Sequence, residues 1–338
     1  MSPLDSDLDL ALRVAAKADG VSLSGFLSRS FGVSRKADNS EVTEIDRATE
    51  QTIIDVFAVE RPKYSIFGEE YGVSGPSDAE FQWVIDPIDG TTNFVRGVPV
   101  WATLIALVHN GVPVLGVVSA PALGFRWWAT AGGGAFFSSP GSDSTRIYVS
   151  KTKTIAEAHV STTPNAGWQA VGGIPKLVQL QTDALRARGF GDFWQHMLVA
   201  QGAIDVAVDV IGLQPYDNAA IYPIVQEAGG TITNRFGVSD WRADSSVSSN
   251  GILNPETIAR LQYVEVNDQA ESMCSALATR QIDCLSQPRQ LRKRARARAR
   301  GTEHISRSRK CEPKQMVSIR DARLNDRVST HRCLLVWC

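Results

Sequence analysis

The first 263 residues of this 338-residue chain contain no cysteine; all five, Cys274, Cys284, Cys311, Cys333 and Cys338, lie beyond them. A cysteine-free body needs no disulfide framework, so nothing in it calls for an oxidising compartment. It also has no thiol nucleophile, which argues against cysteine-phosphatase chemistry. The late cysteines include no Cys-x-x-Cys pair, and His304 and His331 stand apart from them, so the usual zinc spacings are missing. Long apolar runs are missing as well, and no stretch approaches a membrane span. Met1–Ala16 lacks the basic start and unbroken apolar centre of a signal peptide, mixing Asp5, Asp7 and Asp9 with Leu4, Leu8, Leu10 and Leu12. The expectation is a cytoplasmic protein with no membrane partner.

Net charge is nearly absent too, at −1, but that figure hides an asymmetry. Up to Tyr263 there are 19 Lys+Arg against 28 Asp+Glu, a net of −9; beyond it there are 16 against 8, a net of +8. The basic part carries Arg289-Gln-Leu-Arg-Lys-Arg-Ala-Arg-Ala-Arg-Ala-Arg300. Blocks of like charge are usually disordered, so 264–338 reads as a basic, disordered tail. Nucleic-acid binding is its functional alternative, but no aromatic residues interleave the arginines to stack on bases.

What is present in the body is a sequence of alternating element signals. Residues 3–30 read as a helix, with Leu8, Leu12, Val14 and Ala15 on its apolar side. Thr43 is placed to cap a second helix from about Glu44 to Ala58, before Pro62. Trp83-Val84-Ile85 is a short apolar strand. Ala102–Val108, Asn110-Gly111 and Val112–Ser119 form a hairpin pattern, and Arg126–Ala129 is followed by Gly132-Gly133-Gly134 and a further strand. Residues 140–175 are rich in Ser, Thr, Gly and Pro, with a strand at Ala158–Thr162. Trp194–Val208 and Asn218–Ala228 read as helices, the latter stopped by Gly229-Gly230. Thr231–Thr233 reads as a strand, and a last helix ends near Tyr263. The fold class is α/β (α+β layered), an alternating sandwich. It divides into 1–145, an α+β half; 146–263, an α/β half; and the tail.

The strongest chemical signal is Asp86-Pro87-Ile88-Asp89-Gly90-Thr91-Thr92 at the end of the apolar strand. Pro87 fixes a turn, so two carboxylates three residues apart can face one cleft. Gly90 admits close backbone approach. Thr91 and Thr92, at a helix start, offer hydroxyl and N–H groups that suit a phosphate. Hard divalent cations take oxygen ligands, and converging carboxylates relieve their mutual repulsion by binding them. A second strand, Ser65–Phe67, ends in Gly68-Glu69-Glu70. Asp217 stands at the N-cap of an apolar helix. Asp46 lies on the helix after Thr43.

These four motifs in this order resemble the inositol monophosphatase superfamily of magnesium-dependent phosphatases, over about residues 5–263. The resemblance implies a sandwich of α-β-α-β-α layers and a homodimer. It implies metal ligands at Glu69, Asp86, the Ile88 carbonyl, Asp89 and Asp217, where Tyr216 stands in place of the family's tryptophan. It implies that Thr91 and Asp46 hold the attacking water, and that two or three Mg2+ ions take part. Within the superfamily, Asn93–Ala102, Arg126-Trp127-Trp128, Gly191-Asp192-Phe193 and Leu213–Asp217 look most like the histidinol-phosphatase branch. The expected reaction is hydrolysis of a small phosphate monoester by two-metal activation of water, with Glu69, Asp46 and Thr91 catalytic. Gly90, Thr91 and Thr92 would face the phosphate. A cationic substrate end favours an acidic rim, for which Asp192 and Asp209 are the candidates; Asp209 lies eight residues before Asp217 where related sequences have seven. Arg188 is placed to reach the substrate or a neighbouring subunit, and His196 reads as a core histidine. The alternatives are an inositol-1-monophosphatase or related small-molecule phosphatase, and a non-catalytic module whose tail grips nucleic acid.

Overall fold

The computed structural model describes residues 3–36 and 40–262. The basic segment 264–338, with its disordered-tail reading and its nucleic-acid alternative, lies outside the described residues. The elements in chain order begin with α1 (Pro3–Ser28), β1 (Val33–Arg35), β2 (Glu41–Thr43) and α2 (Glu44–Glu60). Next come β3 (Ser65–Gly68), β4 (Gly72–Ser74), β5 (Phe81–Asp89) and α3 (Thr91–Arg96). A meander follows: β6 (Ala102–His109), β7 (Val112–Ala120), β8 (Phe125–Thr130), β9 (Gly134–Ser138) and β10 (Thr145–Arg146). The rest comprises β11 (His159–Thr162), α4 (Ala166–Ala170), α5 (Ile174–Asp183), β12 (Arg186–Arg188), α6 (Asp192–Ala200) and β13 (Val206–Val208). After these come α7 (Pro215–Ala219), α8 (Ile221–Glu227), β14 (Thr231–Thr233), β15 (Val247–Ser249) and α9 (Asn254–Leu261).

Two sheets dominate. The first has eight strands in the order β10-β9-β8-β7-β6-β5-β3-β4 and is antiparallel except where β3 runs parallel to β5. The second has five, β12-β11-β13-β15-β14, with its first three strands parallel. The first sheet therefore ends by Arg146 and the second begins at His159.

Strand alternation sends neighbouring side chains to opposite faces, and the layers follow from it. Trp83, Ile85, Ile105, Leu107 and Val117 face α1 and α2, meeting Leu10, Val14, Ile53 and Phe57. Phe57 stacks on Trp83 with centroids 4.1 Å apart. Val84, Leu104, Ala106 and Trp127 face the other way, onto Phe193 and Met197 of α6 and Ile224 and Val225 of α8. The second sheet sets Ala207 against Val199 of α6 on one face. Its other face packs Val160, Val206 and Val247 on Leu177 and Leu180 of α5 and Leu261 of α9. The result is the expected α-β-α-β-α sandwich, with α6 and α8 as the middle layer.

Local sequence explains several boundaries. The Thr43 side chain accepts from the backbone N–H groups of Ile45 and Asp46, and Asp46 returns the bond to Thr43, a reciprocal cap that starts α2. Asn110 and Gly111, both at positive φ (48° and 83°), make the tight hairpin between β6 and β7.

Three expectations need correction. The helix read over 194–208 stops at Ala200, and Val206–Val208 is a central strand. All three of its residues are buried, so it lacks the alternation that would distinguish it from a buried helix. Asp217 is not the N-cap: Gln214 holds that place and Asp217 sits three residues inside, closing a capping box. The segment Asp86–Asp89 is not a turn after the strand but the bulged end of β5 itself.

Candidate metal centre

The bulge brings the two aspartates of β5 together. Residues three apart on a regular strand point to opposite faces. Here Asp86 pairs with Leu104 and Asp89 with Ala102, so one extra residue is inserted on β5 and turns the second carboxylate toward the first. Pro87, which has no N–H to give the ladder, sits in this bulge, and its carbonyl accepts from the Thr103 hydroxyl at 2.8 Å. Asp86 Oδ1 accepts from the Ile88 N–H at 2.9 Å, and Asp89 Oδ2 from the Phe193 N–H at 2.7 Å.

Asp217 arrives from α7 in the second half of the chain. Its Oδ2 accepts from the Gln214 N–H at 2.7 Å. One carboxylate oxygen from each of Asp86, Asp89 and Asp217 lies within 4.8 Å of the other two. Glu69 follows β3, the parallel neighbour of β5, and its carboxyl stands close enough to Asp86 to raise it.

Four carboxyl groups gathered in this way resist ionisation. Burial first, then Glu69, Asp89 and Asp217, hold Asp86 well above the usual carboxylate range. Burial, Asp192 and Asp217 do the same for Asp89. Burial pushes Asp217 up to about 7, reinforced by Glu69 and Asp209. Glu69 is raised by burial although Lys36 opposes the shift. Lys36 Nζ lies 2.7 Å from Glu69 Oε1 and 2.6 Å from Glu70 Oε1. An all-oxygen donor set of this kind, met here by one ammonium and a few backbone N–H groups, fits hard divalent cations.

Beside the acids stands a hydroxyl. Gly90, at φ 84°, ends the bulge and starts α3. The left-handed turn suits glycine, and a side chain there would also crowd Val100 O and Asp192 Oδ2. Thr91 Oγ1 then falls 3.0 Å from the Ile88 carbonyl oxygen and 3.2 Å from Asp46 Oδ1. Asp46 is fully buried and its Oδ2 accepts from both the N–H and the hydroxyl of Thr43. Burial raises its pKa against these bonds. Thr92, next on α3, is exposed.

The three substrate-contact candidates part company. Asp192, at φ 48° in the left-handed region, accepts from Asn93 Nδ2 at 3.0 Å and flanks Gly90. Burial and the neighbouring Asp209 push it to about 6. Asp209 is turned inward at 4% exposure, where it accepts from the Thr163 hydroxyl, the Val210 N–H and His196 Nε2. Arg188 is exposed on β12 and lines a separate pocket of about 170 Å3 with His159, Arg186 and Phe190. None of the four clustered acids borders that pocket.

Sequence reasoning passed over Lys36, Glu50 and Asn93. Lys36 stands beside the turn formers Asp38 and Asn39, which suggests a loop but nothing of what the loop faces. Asn93 stands out in the sequence only through the resemblance of Asn93–Ala102, and Glu50 reads as one more polar helix residue.

The sequence profile of the inositol monophosphatase family matches residues 4–266. The chain is 42% identical over 255 residues to a histidinol-phosphatase of Mycobacterium tuberculosis, covering 75% of this chain and 97% of that one. It is 40% identical over 259 residues to a histidinol-phosphatase of Streptomyces coelicolor, covering 75% and 96%. Among solved structures, the extragenic suppressor protein suhB of Bartonella henselae superposes with a TM-score of 0.70 at 27% identity, covering 77% of this chain and 99% of that one.

Proposed function

The chain belongs to the inositol monophosphatase family and is a phosphatase, and from that premise we propose that it hydrolyses histidinol phosphate to histidinol and phosphate in histidine biosynthesis. The observation that supports the chemistry most is the meeting of Asp86, Asp89 and Asp217 from separate elements. Magnesium ions, roughly two or three, would be held by Glu69, Asp86, the Ile88 carbonyl, Asp89 and Asp217, and would supply positive charge to the phosphoryl oxygens and acidify a water.

The chain's own residues do the positioning. Thr91 and Asp46 form a hydroxyl–carboxylate pair that orients water for attack on phosphorus. As the new P–O bond forms, the ester P–O bond breaks; the attacking water gives up a proton to solvent and the leaving alkoxide takes one from it, so one water is consumed per ester cleaved. The N–H groups at the start of α3, which have no partner within a helix turn, face the phosphoryl charge around Gly90, Thr91 and Thr92. Such preorganised donors stabilise charge where it develops. Asp192 meets the substrate's cationic end, and Asp209 adds negative potential from behind it. The cytoplasmic location and homodimeric assembly expected from the sequence belong to the same proposal.

Purified protein assayed on histidinol phosphate and on inositol monophosphate, with magnesium and after chelation, tests this. Magnesium-dependent phosphate release from histidinol phosphate is expected. Release from inositol phosphate alone would overturn the substrate, and undiminished release after chelation would overturn the metal chemistry.

A further inference from the structure

Glu50 is completely buried and lies one helical turn beyond Asp46 on the same face of α2. A buried carboxylate is costly unless its charge is answered. The cations at this place, Lys36 and Arg47, pair with Glu69 and Glu70 instead. What meets Glu50 here is backbone, which offsets only part of the cost of burial. Its Oε2 accepts from the Glu70 N–H at 2.8 Å and its Oε1 from the Tyr71 N–H at 3.0 Å. Both donors belong to the turn that carries Glu69, whose own N–H is tied to the Ile85 carbonyl of β5 at 3.2 Å.

The glycine of Gly68-Glu69-Glu70 has its reason in the same contact. A Cβ on residue 68 would stand 1.9 Å from Glu50 Oε1, so the Glu50 carboxylate would have to move off the two amides it accepts from. Gly68 thus makes room for that carboxylate rather than supplying backbone freedom, since its φ is not in the left-handed region. Three consecutive amides, at 69, 70 and 71, are thus pinned between β5 and Glu50, and the Glu69 carboxylate is left with only its side-chain torsions.

We infer that Glu50 is a positioning residue that fixes the Glu69 turn and so sets the cation affinity of the site; this rests on the metal-dependent reading above. A carboxylate is needed because both oxygens accept. Glutamine would turn its NH2 toward one of the two N–H donors, and the turn would loosen. Residues that orient metal ligands typically cost tenfold to a hundredfold in metal affinity when removed.

The test is calorimetric titration of chelator-stripped full-length protein with Mg2+ or Mn2+ alone, no substrate present, for wild type, Glu50→Gln and Gly68→Ala. Both variants are expected to bind the cation about tenfold to a hundredfold more weakly, and excess metal is expected to restore turnover with substrate KM unchanged. Wild-type affinity in Glu50→Gln, or a loss of turnover that excess metal does not restore, would overturn the inference. If Glu50→Gln does not fold, Glu50→Asp keeps the charge but withdraws the oxygens, and the same comparison applies to it. A wild-type protein that takes up no cation would overturn the reading beneath the inference as well.

Discussion

Asp86, in the bulged last part of β5, and Asp209, just after β13, are both buried aspartates, 2% and 4% exposed, and their surroundings are opposite in kind. Around Asp209 the protein supplies donors: the Thr163 hydroxyl at 2.8 Å, the Val210 N–H at 2.7 Å and His196 Nε2 at 3.0 Å. Around Asp86 it supplies chiefly more acid, namely Glu69, Asp89 and Asp217. A buried carboxylate met by donors has its charge answered in place. One met by carboxylates stores repulsion that only a cation or a proton relieves. Low exposure is common to both, so it is the partner chemistry that marks the functional site.

Neutralising one member of each centre should break this symmetry of burial. Asp86→Asn is expected to lower kcat/KM by about 10³-fold or more, the scale of several kcal/mol of lost charge stabilisation. The same change should raise the thermal stability of metal-free protein, because it removes repulsion. A fall in metal-free stability would show that the cluster is not strained. A pH series sharpens the point. In metal-free protein Asp217 is raised from 3.8 to about 7, so the folded state holds a proton that the unfolded state has lost. Stability conferred below about pH 4 should therefore decline as pH climbs toward 7, and saturating magnesium should flatten that decline. Differential scanning calorimetry at fixed ionic strength reads both.

Thr91→Ala comes next in size. It removes the hydroxyl paired with Asp46 without touching the clustered acids, and kcat should fall about 10²-fold, the lower range for lost water activation. Cation affinity, measured by calorimetry, should stay within a factor of two or so. A large loss of cation binding would place Thr91 with the ligands instead.

Asp192→Asn separates substrate from chemistry. Among the described residues its carboxylate accepts from Asn93 Nδ2 alone, so it has accepting capacity to spare for a cationic group. KM for histidinol phosphate should rise about tenfold, the lower scale of a hydrogen bond to a charged partner. KM for an uncharged alcohol phosphate should not move. Equal effects on both substrates would remove Asp192 from the cation-binding role.

How much of this could be read from the sequence depends on whether the physics was local. The Thr43 cap, the Asn110-Gly111 hairpin and the acid-rich end of β5 each rest on neighbours in sequence, and each was legible. The bulge was not: Pro87 suggested a turn, and only pairing with Leu104 and Ala102 shows an extended strand with one residue inserted. Val206–Val208 reads as the end of a helix because a fully buried central strand carries no alternation. Glu50 and Lys36 escaped because their importance lies in what they reach, at Glu70, Tyr71 and Glu69, across intervals that no spacing rule connects. Asp209 was legible as an acid near Asp217 but not as one that faces inward, since that depends on His196 and Thr163 lying opposite it.

The smallest expected effect tests the other side of the comparison. Asp209→Asn keeps an oxygen for the Thr163 hydroxyl and the Val210 N–H, which both point at Oδ1. What changes is Oδ2, which faces His196 Nε2. His196 is fully buried and its Nδ1 already meets the Ser248 hydroxyl at 2.7 Å. With Nε2 donating to Asp209, Nδ1 is left to accept from Ser248. An amide NH2 at the Oδ2 position would confront the imidazole N–H, and the ring would have to exchange its tautomer to accept instead, turning Nδ1 into a donor toward Ser248. The Ser248 hydroxyl can reverse its role, so the network re-forms at modest cost, about 1 kcal/mol. Denaturant unfolding should register that loss with magnesium present or absent, the opposite of the gain expected for Asp86→Asn. A loss that disappears when magnesium is removed would mean that Asp209 serves the cation site after all.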